Sequence, residues 1–194
     1  INHFSPFPKS NFEPNLKLES IFYAGNTGRP QNISSFINFF NEQFPQNWKF
    51  ELYGAGQEFE SLLKFSKENI NINNYLPRED LEEKVKDIPY ALICLDYEIT
   101  IEGFPGKTFD YLNMNKILIN FSNPNSAVSK LIDKYELGFN IDLKKPEKLE
   151  TTLQQMKNLK KVNQILKNIT DFQQNISNKE IVSTKYSSLI RSSS

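Results

Sequence analysis

The apolar run Ala91-Leu92-Ile93-Cys94-Leu95 is followed, five residues later, by Ile101-Glu102-Gly103-Phe104-Pro105-Gly106-Lys107-Thr108-Phe109-Asp110. A short, continuous apolar run predicts a strand that is buried on both faces of a sheet. Glycine and proline in the second stretch end that strand, and proline suits the first turn of a helix. Together the two stretches predict a strand, a loop and a short helix ending near Asn113, the repeating unit of an α/β fold.

The same alternation of strand and helix extends in both directions from this unit. The helical segments carry apolar residues at helical spacing, as in Ile33, Phe36, Ile37 and Phe40. Six strands in two βαβαβ halves predict an α/β, Rossmann-like, doubly wound parallel sheet in the order 3-2-1-4-5-6, with helices on both faces. The predicted strands cover residues 18–24, 48–53, 69–73, 91–95, 116–121 and 138–143.

The remaining segments define the predicted domain organisation. Residues 1–17 are rich in proline and lack periodicity, which predicts a linker or interdomain segment before a domain at residues 18–177. Three helical segments, at residues 146–158, 160–173 and 178–191, close the chain, and residues 192–194 form a disordered tail. Because the chain begins with Ile1 rather than Met, we expect it to be part of a longer protein.

The bulk composition excludes several classes of function. The 194 residues suit one domain, and a formal net charge of +0 predicts no strong attraction to nucleic acid or to an anionic membrane. The single cysteine, Cys94, lies inside the apolar run, so we expect a buried residue and no disulfide within the chain. No apolar run reaches the length needed to span a membrane.

The predicted strand order brings two unusual loops together. Strands 1 and 4 are neighbours where the winding reverses, and ligands bind beyond the carboxyl ends of such strands. The loop after strand 1 contains Gly25 and Arg29, and arginine can grip phosphate oxygens in a bidentate way. The loop after strand 4 leads into a helix start, which attracts anions, with Asp110 placed to accept hydrogen bonds from ligand hydroxyls. These features predict a site for a nucleotide diphosphate bearing a sugar.

Other interpretations of these loops are weaker or remain open. Lys107 and Asp110 are three residues apart, so they could instead form an ordinary ion pair on the surface of a helix. Arg29 could instead be a solvated arginine in a loop. A phosphate-binding P-loop ending at Gly106 would need glycine at position 101, which is Ile. The loop after strand 1 lacks the G-x-G-x-x-G spacing, so NAD and FAD are set aside.

Taken in order, these motifs resemble the C-terminal, donor-binding half of GT-B glycosyltransferases, in particular the large retaining family that uses nucleotide sugars. The resemblance runs from about Leu18 to Ile190. The segments that carry it are 21–26, 52–56, 75–77, 102–112, 116–119 and a final helix at 180–190, which resembles the helix that packs back toward the other domain.

The resemblance implies a role for each site residue. Glu102 would be catalytic, close to the donor sugar or its phosphate; Asp110 would bind the ribose hydroxyls, and the backbone at Leu76 would meet the base. No cofactor and no metal would be required. The residues implied to bind the donor diphosphate and sugar are Gly25, Arg29, Gly103, Phe104, Pro105, Gly106, Lys107 and Thr108.

The implied reaction transfers a sugar from a nucleotide-diphosphate sugar, such as a UDP-sugar, to a glycan or lipid-linked acceptor. The usual setting is bacterial cell-surface polysaccharide synthesis, in the cytoplasm or at the inner face of the membrane. The acceptor site would come from an N-terminal domain or subunit, which would also provide any membrane association, and the chain alone would be inactive.

Two departures from the family pattern leave a second hypothesis open. The family has Glu where this chain has Asp110, and lysine where it has Ser34. The chain could therefore be a non-catalytic nucleotide-binding or assembly subunit of the same fold. A third hypothesis is another doubly wound enzyme that acts on a phosphorylated small molecule.

Overall fold

Six parallel strands form one sheet in the computed structural model, which describes residues 5–99 and 103–177. The strands are β1 (Ser20–Asn26), β2 (Lys49–Ala55), β3 (Ile70–Asn74), β4 (Tyr90–Cys94), β5 (Ile117–Phe121) and β6 (Gly138–Ile141). Their order is β3-β2-β1-β4-β5-β6, which confirms the predicted doubly wound sheet.

The helices cover both faces of this sheet. Phe36 packs against Phe50 of β2, with ring centroids 5.1 Å apart, and Tyr111 packs edge-on against Phe22 of β1 at 5.2 Å. Phe50 is paired with Ile21, the neighbour of Phe22, so the two contacts lie on opposite faces. The helices are α1 (Ile33–Gln43), α2 (Phe59–Leu62), α3 (Arg78–Val85), α4 (Lys107–Asn113), α5 (Ala127–Tyr135), α6 (Leu149–Lys157) and α7 (Leu159–Asn175).

Aromatic side chains fill much of the core between α1 and the sheet. Phe36 contacts the rings of Phe50 and Phe121, and Phe40 stacks on Phe44 at 4.7 Å. Burying each such ring contributes roughly 1.5–3 kcal/mol. The predicted burial of Cys94 is also confirmed, since it is 2% exposed.

Several predicted boundaries differ from the structure for reasons of tertiary pairing. β1 extends to Asn26, beyond the predicted end, because its ladder with β2 continues through Gly25 and Asn26. The spacing of Phe59, Leu62 and Leu63 predicts one apolar helix face, but α2 has four residues and Leu63 is 41% exposed. The spacing of Leu81, Val85 and Ile88 predicts a helix that continues to Ile88, but α3 ends at Val85. The predicted helix 178–191 and tail 192–194 lie outside the described residues.

The side chain of Lys116 caps the carboxyl end of α3. Its buried ammonium donates hydrogen bonds to the carbonyl oxygens of Val85, Lys86 and Ile88, at 2.6, 2.8 and 2.8 Å. These carbonyls lie at the carboxyl end of the helix, where backbone acceptors have no partner within the helix and a positive charge is favoured. Lys116, just before β5, therefore ties α3 to the sheet.

The helices of the described residues include none that has the length and apolar character of a membrane span.

We expect Lys116→Met to destabilise the fold by roughly 3 kcal/mol, because it removes the amine that donates to the carbonyl oxygens of Val85, Lys86 and Ile88. In a domain of this size that loss lowers the midpoint of thermal unfolding by about 6–12 °C. Lys130→Met is the matched control, since Lys130 is exposed. Equal midpoints for both variants and the wild type would contradict the role of Lys116.

Candidate functional site

A crevice opens where β1 and β4 separate. β1 pairs with β2 over seven residues but with β4 only at Ile21 and Phe22. Beyond this point the hydroxyl of Tyr111 takes the place of a neighbouring strand, since it accepts from the Ala24 N–H at 2.8 Å and donates to the Ala24 carbonyl at 3.0 Å. Burial raises the pKa of the Tyr111 phenol, so the hydroxyl keeps the proton that it donates. The carboxyl end of β1 is thus held in place beside the crevice.

The loops around the crevice are hydrogen-bonded to one another. The Thr27 N–H donates to the Ala55 carbonyl at 2.9 Å, which joins the loop after β1 to the end of β2. The Asp96 N–H donates to the Pro30 carbonyl at 2.9 Å, and the Asn32 side-chain amide donates to the Asp96 carboxylate at 2.8 Å. As predicted, the loops after β1 and β4 are therefore neighbours.

Lys107 places its ammonium in this crevice, over the ring of Tyr23. Its Nζ lies 3.7 Å from the centroid of the Tyr23 ring, is buried, and has no hydrogen-bond partner among the described residues. Burial lowers the pKa of Lys107 to about 7, and the neighbouring Cys94 opposes that shift. Gly25 faces this amine with a φ of +129°, and a Cβ added there would lie 3.0 Å from the Nζ. Glycine at position 25 thus satisfies both the backbone conformation and the close approach of the lysine.

Four of the predicted site residues line one cleft of about 180 Å³ beside this lysine: Gly25, Leu76, Lys107 and Asp110. The sequence hypothesis did not include three other lining residues, Tyr53, Tyr75 and Arg78. Tyr75, adjacent to the predicted Leu76, is 62% exposed and gives the cleft an aromatic edge. Arg78 begins α3, where an arginine has no distinguishing pattern in sequence.

Arg29 lies outside this cleft. It is exposed in a short 3-10 turn, Arg29–Gln31, after β1. Glu102, the predicted catalytic residue, lies outside the described residues. The roles assigned to both therefore stay predictions.

The predicted site residues around the start of α4 differ in exposure: the glycines are exposed, whereas Thr108 is buried. Gly103 and Gly106 are exposed, and a Cβ added at either would meet nothing within 4 Å. Phe104 packs edge-on against Phe109 at 5.6 Å. Thr108 is buried, and its N–H donates to the Pro105 carbonyl at 2.9 Å. The same N–H could donate to a ligand only if this hydrogen bond were broken.

Asp110 holds two further groups at the cleft. Ser5 is buried and its hydroxyl donates to the Asp110 carboxylate at 2.6 Å. The guanidinium of Arg78 lies 3.9 Å from the same oxygen. The carboxylate predicted to bind ribose thus already accepts a hydrogen bond from a hydroxyl group.

The sequence matches no protein-family profile, and it matches no curated protein. The fold, in contrast, is similar to solved glycosyltransferase structures. A mutant of S. aureus TarM in complex with fondaparinux, alpha-GlcNAc-glycerol and UDP is 15% identical, with a TM-score of 0.67 over 94% of this chain and 39% of that chain. The pneumococcal O-GlcNAc transferase GtfA in complex with UDP and GlcNAc is 14% identical, with a TM-score of 0.64 over 97% and 38%.

A third similar structure is a single domain that this chain matches over nearly its whole length. The C-terminal domain of the glycosyl transferase group 1 family protein LpcC from Francisella tularensis is 13% identical, with a TM-score of 0.60. The match covers 92% of this chain and 97% of that domain, whereas this chain spans about two fifths of TarM and GtfA. The chain therefore has the fold of the C-terminal domain of a GT-B glycosyltransferase.

We expect Lys107→Met to stabilise the protein without ligand by roughly 1–3 kcal/mol near pH 7, because it removes a buried amine that has no acceptor among the residues the structure describes. The folded pKa of about 7 lies below the ordinary 10.5, so the destabilising effect is complete below about pH 7 and is lost as the pH rises toward about 10.5. Thermal unfolding at both ends of this range measures the difference between variant and wild type.

The control for this prediction is Lys130→Met, which removes an exposed lysine and should change stability little at either pH. A Lys107→Met variant that is less stable than the wild type near pH 7, or equally stabilised at both pH values, would contradict the role of burial.

Proposed function

We propose that this chain is the donor-binding domain of a glycosyltransferase that uses a nucleotide-diphosphate sugar. The observation that carries the proposal is the buried ammonium of Lys107, which has no acceptor among the described residues and lies beside Gly25 at the crevice. A buried charge without a partner destabilises a protein, and such groups concentrate at functional sites. A diphosphate oxygen would supply the missing acceptor in a charge-assisted hydrogen bond.

The side chains in the rest of the cleft have the chemistry to bind the nucleoside half of such a donor. Asp110 would accept hydrogen bonds from the ribose hydroxyls, one turn of α4 after Lys107. Tyr75 and the backbone at Leu76 would meet the base at the other side of the cleft. Two of the similar structures hold UDP, which makes UDP the first nucleotide to test.

In the proposed reaction, positive charge near the diphosphate stabilises the departing group during transfer of the sugar. Lys107 and Arg29 would provide this charge without a metal ion, and Glu102 would lie at the sugar. The acceptor, a glycan or a lipid-linked sugar, would be bound by an N-terminal domain or subunit. Cell-surface polysaccharide synthesis at the cytoplasmic side of a membrane is the proposed setting.

A second candidate function retains nucleotide binding without transfer. Ser34 stands where the resemblance expects a lysine, and its neutral hydroxyl adds no positive charge. Binding of UDP without sugar transfer, in the presence of a matching acceptor-binding half, would favour this candidate.

We expect a nucleoside diphosphate to raise the midpoint of thermal unfolding, because a ligand that binds the folded state stabilises it by mass action. A panel of UDP, GDP, ADP, CMP and their sugar conjugates identifies the base. At a concentration of 100 Kd the stabilisation is about 2.7 kcal/mol. Asp110→Asn, which keeps the shape but removes the charge, should reduce the shift.

Asp171→Asn is the matched control, since Asp171 is exposed on α7, away from the cleft. An equal shift in both variants would remove Asp110 from the site. The absence of any shift at millimolar concentrations of every nucleotide would refute the proposed function.

A further inference from the structure

A segment that precedes the sheet lies against the nucleoside end of the cleft. We refer to residues 5–10 as the strap. Apart from the bond from Ser5 to Asp110, the Asn113 side-chain amide donates to the Phe7 carbonyl at 2.8 Å, and the Ser10 N–H donates to the Asn113 carbonyl at 2.7 Å. Three hydrogen bonds therefore fasten the strap to α4, at both of its ends and in the middle.

The aromatic ring of the strap lies on a guanidinium. The centroid of the Phe7 ring is 4.2 Å from the central carbon of the Arg78 guanidinium, and the ring is 42% exposed. Arg78 also pairs with Glu82 at 2.7 Å, which holds the guanidinium in place on α3. Arginine stacks on flat rings of any kind, including nucleobases, by the same cation–π attraction.

The strap limits the volume of the cleft. With Phe7 as one wall, the cleft measures about 180 Å³. Pockets that hold small-molecule ligands usually measure about 300–1,000 Å³. With Phe7 as one wall, the cleft is therefore smaller than the pockets that usually hold such ligands.

We propose that the strap occupies the nucleoside position, so that a nucleotide must displace it to bind, and that Arg78 is the residue on which the base then stacks. The Ser5 hydroxyl occupies the position that a ribose hydroxyl would take on Asp110. The Phe7 ring occupies the position that the base would take on Arg78. The inference rests on the proposed function, because it names the contacts of that same nucleotide site.

The consequence for affinity follows from competition. The apparent dissociation constant equals the intrinsic constant divided by the fraction of molecules with the strap released. If the strap is released in about one molecule in ten, its removal tightens nucleotide binding about tenfold.

The first test compares UDP binding by calorimetry in the wild type and in the double variant Ser5→Ala, Phe7→Ala. We expect the double variant to bind UDP about tenfold more tightly. Phe12→Ala is the matched control, because Phe12 is a comparably exposed aromatic residue outside the strap, and it should leave the affinity unchanged.

The outcomes separate the strap from the proposed function. Equal UDP affinities in the wild type and the double variant overturn the strap as a competitor and leave the proposed function intact. Tighter binding by Phe12→Ala to the same degree also overturns it. Failure of both proteins to bind UDP or any other nucleotide at millimolar concentration overturns the proposed function, and this inference with it.

The second test addresses Arg78 in the background of the double variant, where loss of the strap no longer affects the result. Arg78→Lys keeps the charge and the pairing with Glu82 but removes the flat guanidinium. We expect UDP affinity to fall about tenfold and inorganic pyrophosphate affinity to stay unchanged, because pyrophosphate has no base. Equal losses for both ligands, or no loss for either, would exclude base stacking on Arg78.

Discussion

The candidate site depends on the separation of β1 from β4 after Phe22. Two strands that stayed paired to their ends would leave no crevice, and two that separated without support would leave the backbone of Ala24 without partners. The Tyr111 hydroxyl resolves this by bonding to both the N–H and the carbonyl of Ala24. A residue of α4 thus holds the end of β1, and the same helix carries Lys107 and Asp110 into the crevice.

Two lysines with buried amines, Lys116 and Lys107, differ in the groups that surround the amine. Burial lowers the pKa of Lys116 and of Lys107 to about 7. Lys116 donates to three carbonyl oxygens and stabilises the end of α3, whereas Lys107 has no acceptor among the described residues. A group that costs stability in the absence of ligand is retained where binding or catalysis requires it, which is why Lys107 carries the functional proposal.

The polar contacts at Asp110 link the binding site to a segment outside the sheet. Ser5, Arg78 and Asp110 form one cluster, although they are distant in sequence. A carboxylate that accepts from a hydroxyl of its own chain is already arranged to accept from a hydroxyl of a ligand. In the proposed mode of binding, the strap and a nucleotide use the same chemistry at Asp110 and exclude one another from the small cleft.

The sequence by itself determined the class of fold, the order of the strands and the meeting of the loops after β1 and β4. It could do so because apolar periodicity and the right-handed connection of parallel strands are local rules. It also singled out Gly25, Leu76, Lys107 and Asp110, which line one cleft in the structure, while their binding roles stay predictions. Tertiary structure alone decided that Lys107 finds no acceptor within the described part of the chain, that Tyr111 supports β1, and that Ser5 and Phe7 cover Asp110 and Arg78. These are contacts between distant residues, and no local spacing encodes which distant partner a polar side chain finds or fails to find.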